Sequence, residues 1–233
     1  MGDFLRIAID GPAGAGKSTV AKMTAEKLGY IYIDTGAMYR AVTLSALMNN
    51  IDTNDSEQLT KLAENIDLAM SVDKYKKTRV LLNGVDVSEQ IRSTYVSRNV
   101  AQVSQVPGVR RRLVHLQREM GAAGKVVMEG RDIGANVLPD AEFKFFLTAS
   151  AQERAKRRYT ELINKGSDIT LAEVLTDIMR RDDIDAHRSV DPLKPACDAE
   201  FIDSTDMTIE QVVDLITCRV SGRLNQCFTT FAK

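Results

Sequence analysis

The sequence predicts an α/β fold, a parallel sheet covered by helices on both faces in three layers. Two observations carry that prediction. Short apolar runs of buried-strand length recur along the chain, each succeeded by a helical pattern. Helix starts are marked by capping boxes, in which a Ser or Thr is followed three residues on by Glu or Gln. They occur at Ser150 with Glu153, Thr170 with Glu173, and Thr208 with Gln211.

Residues 5–10 (LRIAID) read as a short buried strand, and a glycine-rich turn follows it. Residues 17–28 read as a helix with Val20, Ala21, Thr24 and Leu28 turned inward. Residues 30–33 form a second strand, ended by Asp34-Thr35-Gly36 before a helix to about Met48. Later strands fall at 126–128, 143–147 and, with a weaker pattern, 200–202. From about 67 to 87 the rhythm changes. Two alternating runs, 68–72 and 78–82, flank a polar turn at 73–77, and Asn83-Gly84 closes the second run. Asn-Gly is a strong hairpin-turn signal, so a small antiparallel insert is expected here. The expected organisation is a single domain over 1–222, an inserted lobe within 64–100, and a frayed tail at 223–233.

The bulk composition narrows the function classes. A chain of 233 residues with 44% apolar and 27% charged residues is an ordinary globular protein with one good-sized core. Its 31 basic and 32 acidic residues nearly balance, so the basic footprint of a dedicated nucleic-acid binder is absent. Cys197, Cys218 and Cys227 have no metal-ligand spacing, and His115 and His187 lie far from any Cys pair. Free thiols in a reducing compartment are expected. The N-terminal residues lack the pattern of a secretory signal, Arg6 breaks a myristoylation signal, and no apolar run reaches membrane-span length. A cytoplasmic protein without membrane or nucleic-acid partners is the expectation.

Gly11-Pro12-Ala13-Gly14-Ala15-Gly16-Lys17-Ser18 matches G-x-x-x-x-G-K-[ST] in full, between a strand and a helix. Glycines let successive backbone N–H groups turn toward one centre, and the helix N-terminus adds partial positive charge. Lys17 is placed to reach β- and γ-phosphates, and the Ser18 hydroxyl to hold Mg²⁺. Three further clusters carry arginines. Thr35 and Arg40 follow the second strand, where Thr35 can cap a helix or donate a hydrogen bond and Arg40 can grip a phosphate. In Glu129-Gly130-Arg131-Asp132-Ile133-Gly134, Arg131 suits a phosphate and Asp132 an amino group. Arg181, Asp185 and Arg188 fall at i, i+4 and i+7, one helical stripe suited to a phosphoryl group in flight. Each cluster has a plainer interpretation as a solvated ion-paired surface, and Arg154, Arg157 and Arg158 share that ambiguity. On these residues alone, a small-molecule kinase and a non-catalytic nucleotide-binding regulator both remain open.

The blocks GPAGAGKST, DTGAMYR, EGRDIG and RRDDIDAHR, in this order and spacing, closely resemble bacterial cytidylate kinases from about residue 6 to residue 220. The resemblance implies a P-loop kinase fold, a monophosphate-binding insert and an arginine-rich lid at about 154–188. It further implies Mg²⁺-dependent transfer of the γ-phosphoryl group of ATP to CMP or dCMP by a monomer. On the matching positions, residues 11–19 (through Thr19) and Arg158 would bind ATP. Thr35 and Asp132 would contact the acceptor's base or sugar, Arg40 and Arg131 its phosphate, and Arg110 its cytosine. Tyr39 lies in the acceptor turn, while Arg181, Asp185 and Arg188 would serve lid and acceptor site. Lys17, Arg131, Arg181 and Arg188 would form the catalytic set. Thr35 stands where Ser is common in the family, Glu129 where Asp is frequent, and Ala101 where some members carry a hydroxyl.

Overall fold

The computed structural model describes residues 5–72, 78–164 and 166–230. The chain divides into two compact units. The first takes residues up to 32, 123–187 and those from 191 onward; the second takes 33–122 and 188–190.

The first unit is built on a five-stranded sheet in the order β2-β6-β1-β7-β8. Its strands are β1 (Arg6–Asp10), β2 (Ile31–Asp34), β6 (Val126–Gly130), β7 (Phe143–Thr148) and β8 (Glu200–Asp203). β1 pairs in parallel with β6 on one side and β7 on the other, and β7 with β8. Ile7, Ala8 and Ile9 of β1 are fully buried, as a central strand shielded on both faces must be. The helices α1 (Lys17–Leu28) and α8 (Ile209–Thr230) cover the sheet. Val20, Ala21, Val212, Val213 and Ile216 pack there with Ile9, Phe145 and Leu147. Each such aliphatic side chain withdrawn from water contributes about 1.5–3 kcal/mol.

The helix α1 begins and ends at the residues that the periodicity predicts, with Val20, Ala21 and Thr24 buried and Leu28 only partly so. Two of the three capping boxes form in full, and at the third only the Ser150 cap does, the Ser150 N–H going to Thr205 Oγ1. Thr170 Oγ1 accepts the Glu173 N–H and Glu173 Oε2 accepts the Thr170 N–H, starting α7 (Leu171–His187). Gln211 and Thr208 exchange the same pair of bonds ahead of α8. Ser150 Oγ accepts the Glu153 N–H at the start of α6 (Ala151–Asn164). α6 and α7 pack as a helical hairpin around Ala155, Val174 and Ile178, and this pair occupies most of the expected lid region. α8 runs on through Gly222 to Thr230 without a break in its backbone.

The second unit holds α2 (Thr35–Met48), α3 (Ser56–Asn65), α4 (Thr94–Val103) and α5 (Pro107–Gly121). Its three-stranded antiparallel sheet comprises β3 (Leu68–Val72), β4 (Thr78–Leu82) and β5 (Val85–Asp86). Asn83 and Gly84 both have positive φ, 50° and 78°, the backbone an Asn-Gly hairpin turn requires. The polar turn expected at 73–77 lies outside the described residues. The insert expected within 64–100 falls inside this unit, whose core runs from Met38 and Val42 to Leu59, Leu82, Ile91, Val109 and Leu113. Among the described residues, no helix is long and apolar enough to cross a membrane.

Candidate active site

In the first unit the site grows from the carboxyl end of β1, the strand at which the sheet order reverses direction. Gly11 leaves β1 with φ 148°, and a Cβ there would stand 1.9 Å from the Leu147 carbonyl oxygen. Only a residue without a side chain fits. Gly14 has φ 76°, and its added Cβ would lie 3.2 Å from both Cβ and O of Arg154. Pro12, Ala13 and Ala15 are buried, while Ser18 and Thr19 are exposed in the first turn of α1. The N-cap Gly16 supplies no side-chain cap, so the amides of that turn keep their orientation for an anion.

Lys17 is buried, and its Nζ donates to the Pro12 carbonyl at 2.7 Å. Burial and the neighbouring Arg131 lower its pKa to about 7, against the opposing pull of Glu129, Asp185 and Asp10. Arg131 follows β6, its Nε donating to Asp185 Oδ2 at 2.8 Å. Burial opposes the Arg131 charge, but Asp185, Glu129 and Asp182 outweigh burial and hold its pKa above the ordinary value. Arg181 feels the reverse. Burial and the cations Arg158, Arg131 and Arg180 push its pKa down, with Asp177, 2.9 Å away, opposing them. Lys17, Arg131, Arg181 and Arg158 thus form one crowded cationic neighbourhood, and a bound polyanion relieves that mutual repulsion.

One expectation about α7 is corrected here. The helix ends at His187, so Arg188 does not share a helical stripe with Arg181 and Asp185. Asp185 Oδ2 also accepts from Arg131 Nε at 2.8 Å, a partner fifty-four positions earlier that the helical stripe does not contain. Spacing along one helix cannot reveal a partner delivered by another segment. Asp132 is buried and accepts from Asn136 Nδ2 at 3.2 Å. The Arg131-Asp132 neighbours therefore do not form the surface pair their adjacency permits. Arg158 donates to Glu161 at 2.7 Å on the hairpin.

Asp10 escaped the sequence, and the partners of Glu129 and Arg157 did too. Asp10 is buried and accepts the N–H groups of Ile133 and Gly134, each at 2.8 Å, which seats the loop after β6. Burial raises its pKa to about 6 despite those two bonds. A single acid closing an apolar strand directly before the glycine turn was the available signal. Glu129 is buried on β6 and receives the Tyr32 hydroxyl at 2.6 Å. Arg157 reaches the Ser204 carbonyl at 2.6 Å, tying α6 to the segment after β8.

The second unit places its own set. Thr35 is the first residue of α2 and is buried, but the cap is Asp34, which accepts the Ala37 N–H at 2.9 Å. Arg40, one turn later, donates to Ser97 Oγ at 2.8 Å and to the Ile91 carbonyl. Arg110 is 1% exposed, its guanidinium carbon 5.6 Å from the centre of the Tyr39 ring. A buried arginine held on an aromatic face is a fixed, directional donor. Ala101 is buried one turn beyond Ser97 on α4. Arg188 is also buried.

Donors for a metal are sparse. Among the described residues no group of three or more His, Cys, Asp or Glu could hold an ion. Asp10 has both carboxylate oxygens engaged and Glu129 has one, while the Ser18 hydroxyl is exposed beside the loop. One hydroxyl suits Mg²⁺ carried on phosphate oxygens and water, and does not suit an all-protein cage.

Comparison with known proteins supplies an independent line. The family model described as cytidylate kinase matches residues 7–221. The cytidylate kinase of Pelotomaculum thermopropionicum is 52% identical over 95% of this chain and 98% of its own. That of Bacillus subtilis is 50% identical over 91% of this chain and 94% of its own. Among solved structures, shikimate kinase from Bacteroides thetaiotaomicron aligns over 94% of this chain and 99% of its own, at 14% identity and a TM-score of 0.46.

Proposed function

The chain belongs to the cytidylate kinase family, and from that premise we propose how its residues divide the transfer of a phosphoryl group from ATP to CMP or dCMP. The cationic neighbourhood of Lys17, Arg131, Arg181 and Arg158 beside the glycine loop carries this reading, because it gathers like charges that a bound polyanion stabilises. Residues 11–19 cradle the triphosphate of ATP, with Lys17 at the β- and γ-phosphates. A phosphate oxygen of CMP attacks the γ-phosphorus, the bond to the β,γ-bridging oxygen breaks, and ADP leaves. The acceptor phosphate has a second pKa of about 6, so it is already largely ionised near neutral pH and needs no general base. Positioning and charge stabilisation therefore suffice, and no covalent intermediate on the protein is required.

Arg131 and Arg181 meet the charge that develops on the moving group, with Asp185 keeping Arg131 in place. Arg188 joins them as a further cation at the transferring phosphate. Arg40 binds the acceptor phosphate, Arg110 reads cytosine from its seat on Tyr39, and Thr35 and Asp132 take the sugar or base. Ser18 would hold Mg²⁺ together with the ATP phosphates, and the bound ion would supply neutralising charge to the transferring group. The α6–α7 hairpin serves as the lid that excludes water and so prevents wasteful ATP hydrolysis. A cytoplasmic monomer acting on ATP and CMP completes the proposal.

The deciding experiment follows ADP release from ATP and Mg²⁺ with CMP, dCMP, UMP, AMP and GMP offered one at a time. Rapid release with CMP and dCMP, and little with the purine nucleotides, is expected. Release independent of any acceptor would overturn the assignment, as would a preference for AMP or GMP.

A further inference from the structure

Arg154 is a buried cation with no part in the scheme above. Its Nη1 donates to the Ala13 carbonyl at 2.9 Å, inside the phosphate loop, and its Nε donates to the Ala149 carbonyl at 2.9 Å. The same Nη1 stands 2.7 Å from Asp182 Oδ2 on α7. The other Asp182 oxygen is buried without a hydrogen-bond partner, so Arg154 is the main compensation for this carboxylate at contact distance. Gly14, whose missing Cβ lets the loop lie against Arg154 and Ile178, brings the loop directly onto α6 and α7. One guanidinium thus joins the loop, the end of β7 and both helices of the hairpin.

A planar trans peptide directs its C=O and its N–H to opposite sides. Because the Ala13 carbonyl is held on the Arg154 side, the N–H of Gly14, in the same peptide unit, must face away from the hairpin. That is the inner side of the loop, where phosphate-cradling amides converge. We propose that Arg154, braced by Asp182, is a positioning residue for the donor triphosphate, setting the Ala13–Gly14 peptide so that the Gly14 N–H meets a phosphate oxygen. The proposal rests on the reading of residues 11–19 as the ATP site. Asp182 is the chain neighbour of Arg181, so the brace also fixes where α7 carries that arginine relative to the loop.

Two variants and one measurement on the unaltered protein test it. Arg154→Lys keeps the charge that compensates Asp182 but loses the fork that reaches both carbonyls. Arg154→Met combined with Asp182→Asn removes the pair without leaving a lone buried charge. In each, the Kd for ATP should rise about tenfold or more, the loss of one well-placed hydrogen bond to a charged group. The KM for CMP should stay within about twofold, a split that a merely structural role would not produce. In the unaltered protein, the Gly14 amide resonance should shift and gain protection from solvent exchange on addition of ADP. A folded variant that binds ATP as well as the parent overturns the proposal, and so does a Gly14 amide that ADP leaves unmoved, whether or not the variants fold. If the parent makes no CDP from ATP and CMP, the underlying assignment has failed; if it does and Arg154→Lys binds ATP normally, only the brace has.

Discussion

Lys17 is subject to two opposing influences. Burial and Arg131 favour its neutral form, holding its pKa near about 7, whereas a triphosphate favours the charged form. At pH 8 the amine in this structure is mostly neutral, so ATP binding should draw a proton from solution. At pH 6 it is already charged, and that uptake should vanish. Titration calorimetry in buffers of different ionisation enthalpy measures the difference, and no uptake at pH 8 would contradict the assignment. Arg181 is the complementary case: its charge is retained against burial and three neighbouring cations, with Asp177 beside it in support. Arg181→Ala should lower kcat by about 10³-fold, the scale on which phosphoryl-transfer arginines act. A loss below about tenfold would remove it from the transition state.

The elements hold these residues by local rules that are separable from the chemistry. α8 begins with the reciprocal bonds of Thr208 and Gln211, far along the chain from the loop. Thr208→Ala should cost about 1 kcal/mol through the lost cap, seen as a drop of about 2–4 °C in Tm. Steady-state rates should remain within about twofold, and a large fall in kcat would show that α8 does more than cover the sheet. β1 works differently. Its last residue, Asp10, spends both carboxylate oxygens on the amides of Ile133 and Gly134, so the strand positions the loop carrying Arg131 as well as its own glycine turn.

At the scale of the whole molecule the proposed roles fall on two different units. The nucleotide loop and the hairpin belong to the first, and Arg40, Tyr39 and Arg110 to the second. Lesions should therefore separate. Arg110→Ala should raise the KM for CMP at least about tenfold, since one arginine bidentate to a base is worth roughly 1–3 kcal/mol. Its Kd for ATP, measured without acceptor, should stay within about twofold of the parent. Equal damage to both affinities would mean that Arg110 serves the fold and not the acceptor.

The sequence by itself determined whatever depends on near neighbours. Gly16 and Gly29 bound the periodic run of α1, two capping boxes and the Ser150 cap set the starts of α7, α8 and α6, and Asn83-Gly84 set its hairpin turn. The glycine loop with Lys17 was legible for the same reason, since its backbone geometry is written in consecutive residues. Tertiary structure alone decided which charges meet. Asp185 answers to Arg131 across fifty-four positions, Asp10 to the loop after β6, and Arg154 to Ala13 across 141 positions. A charge interacts through space with whatever the fold brings within a few ångströms, and that distance is set by the packing of the sheet and hairpin, which no local spacing encodes.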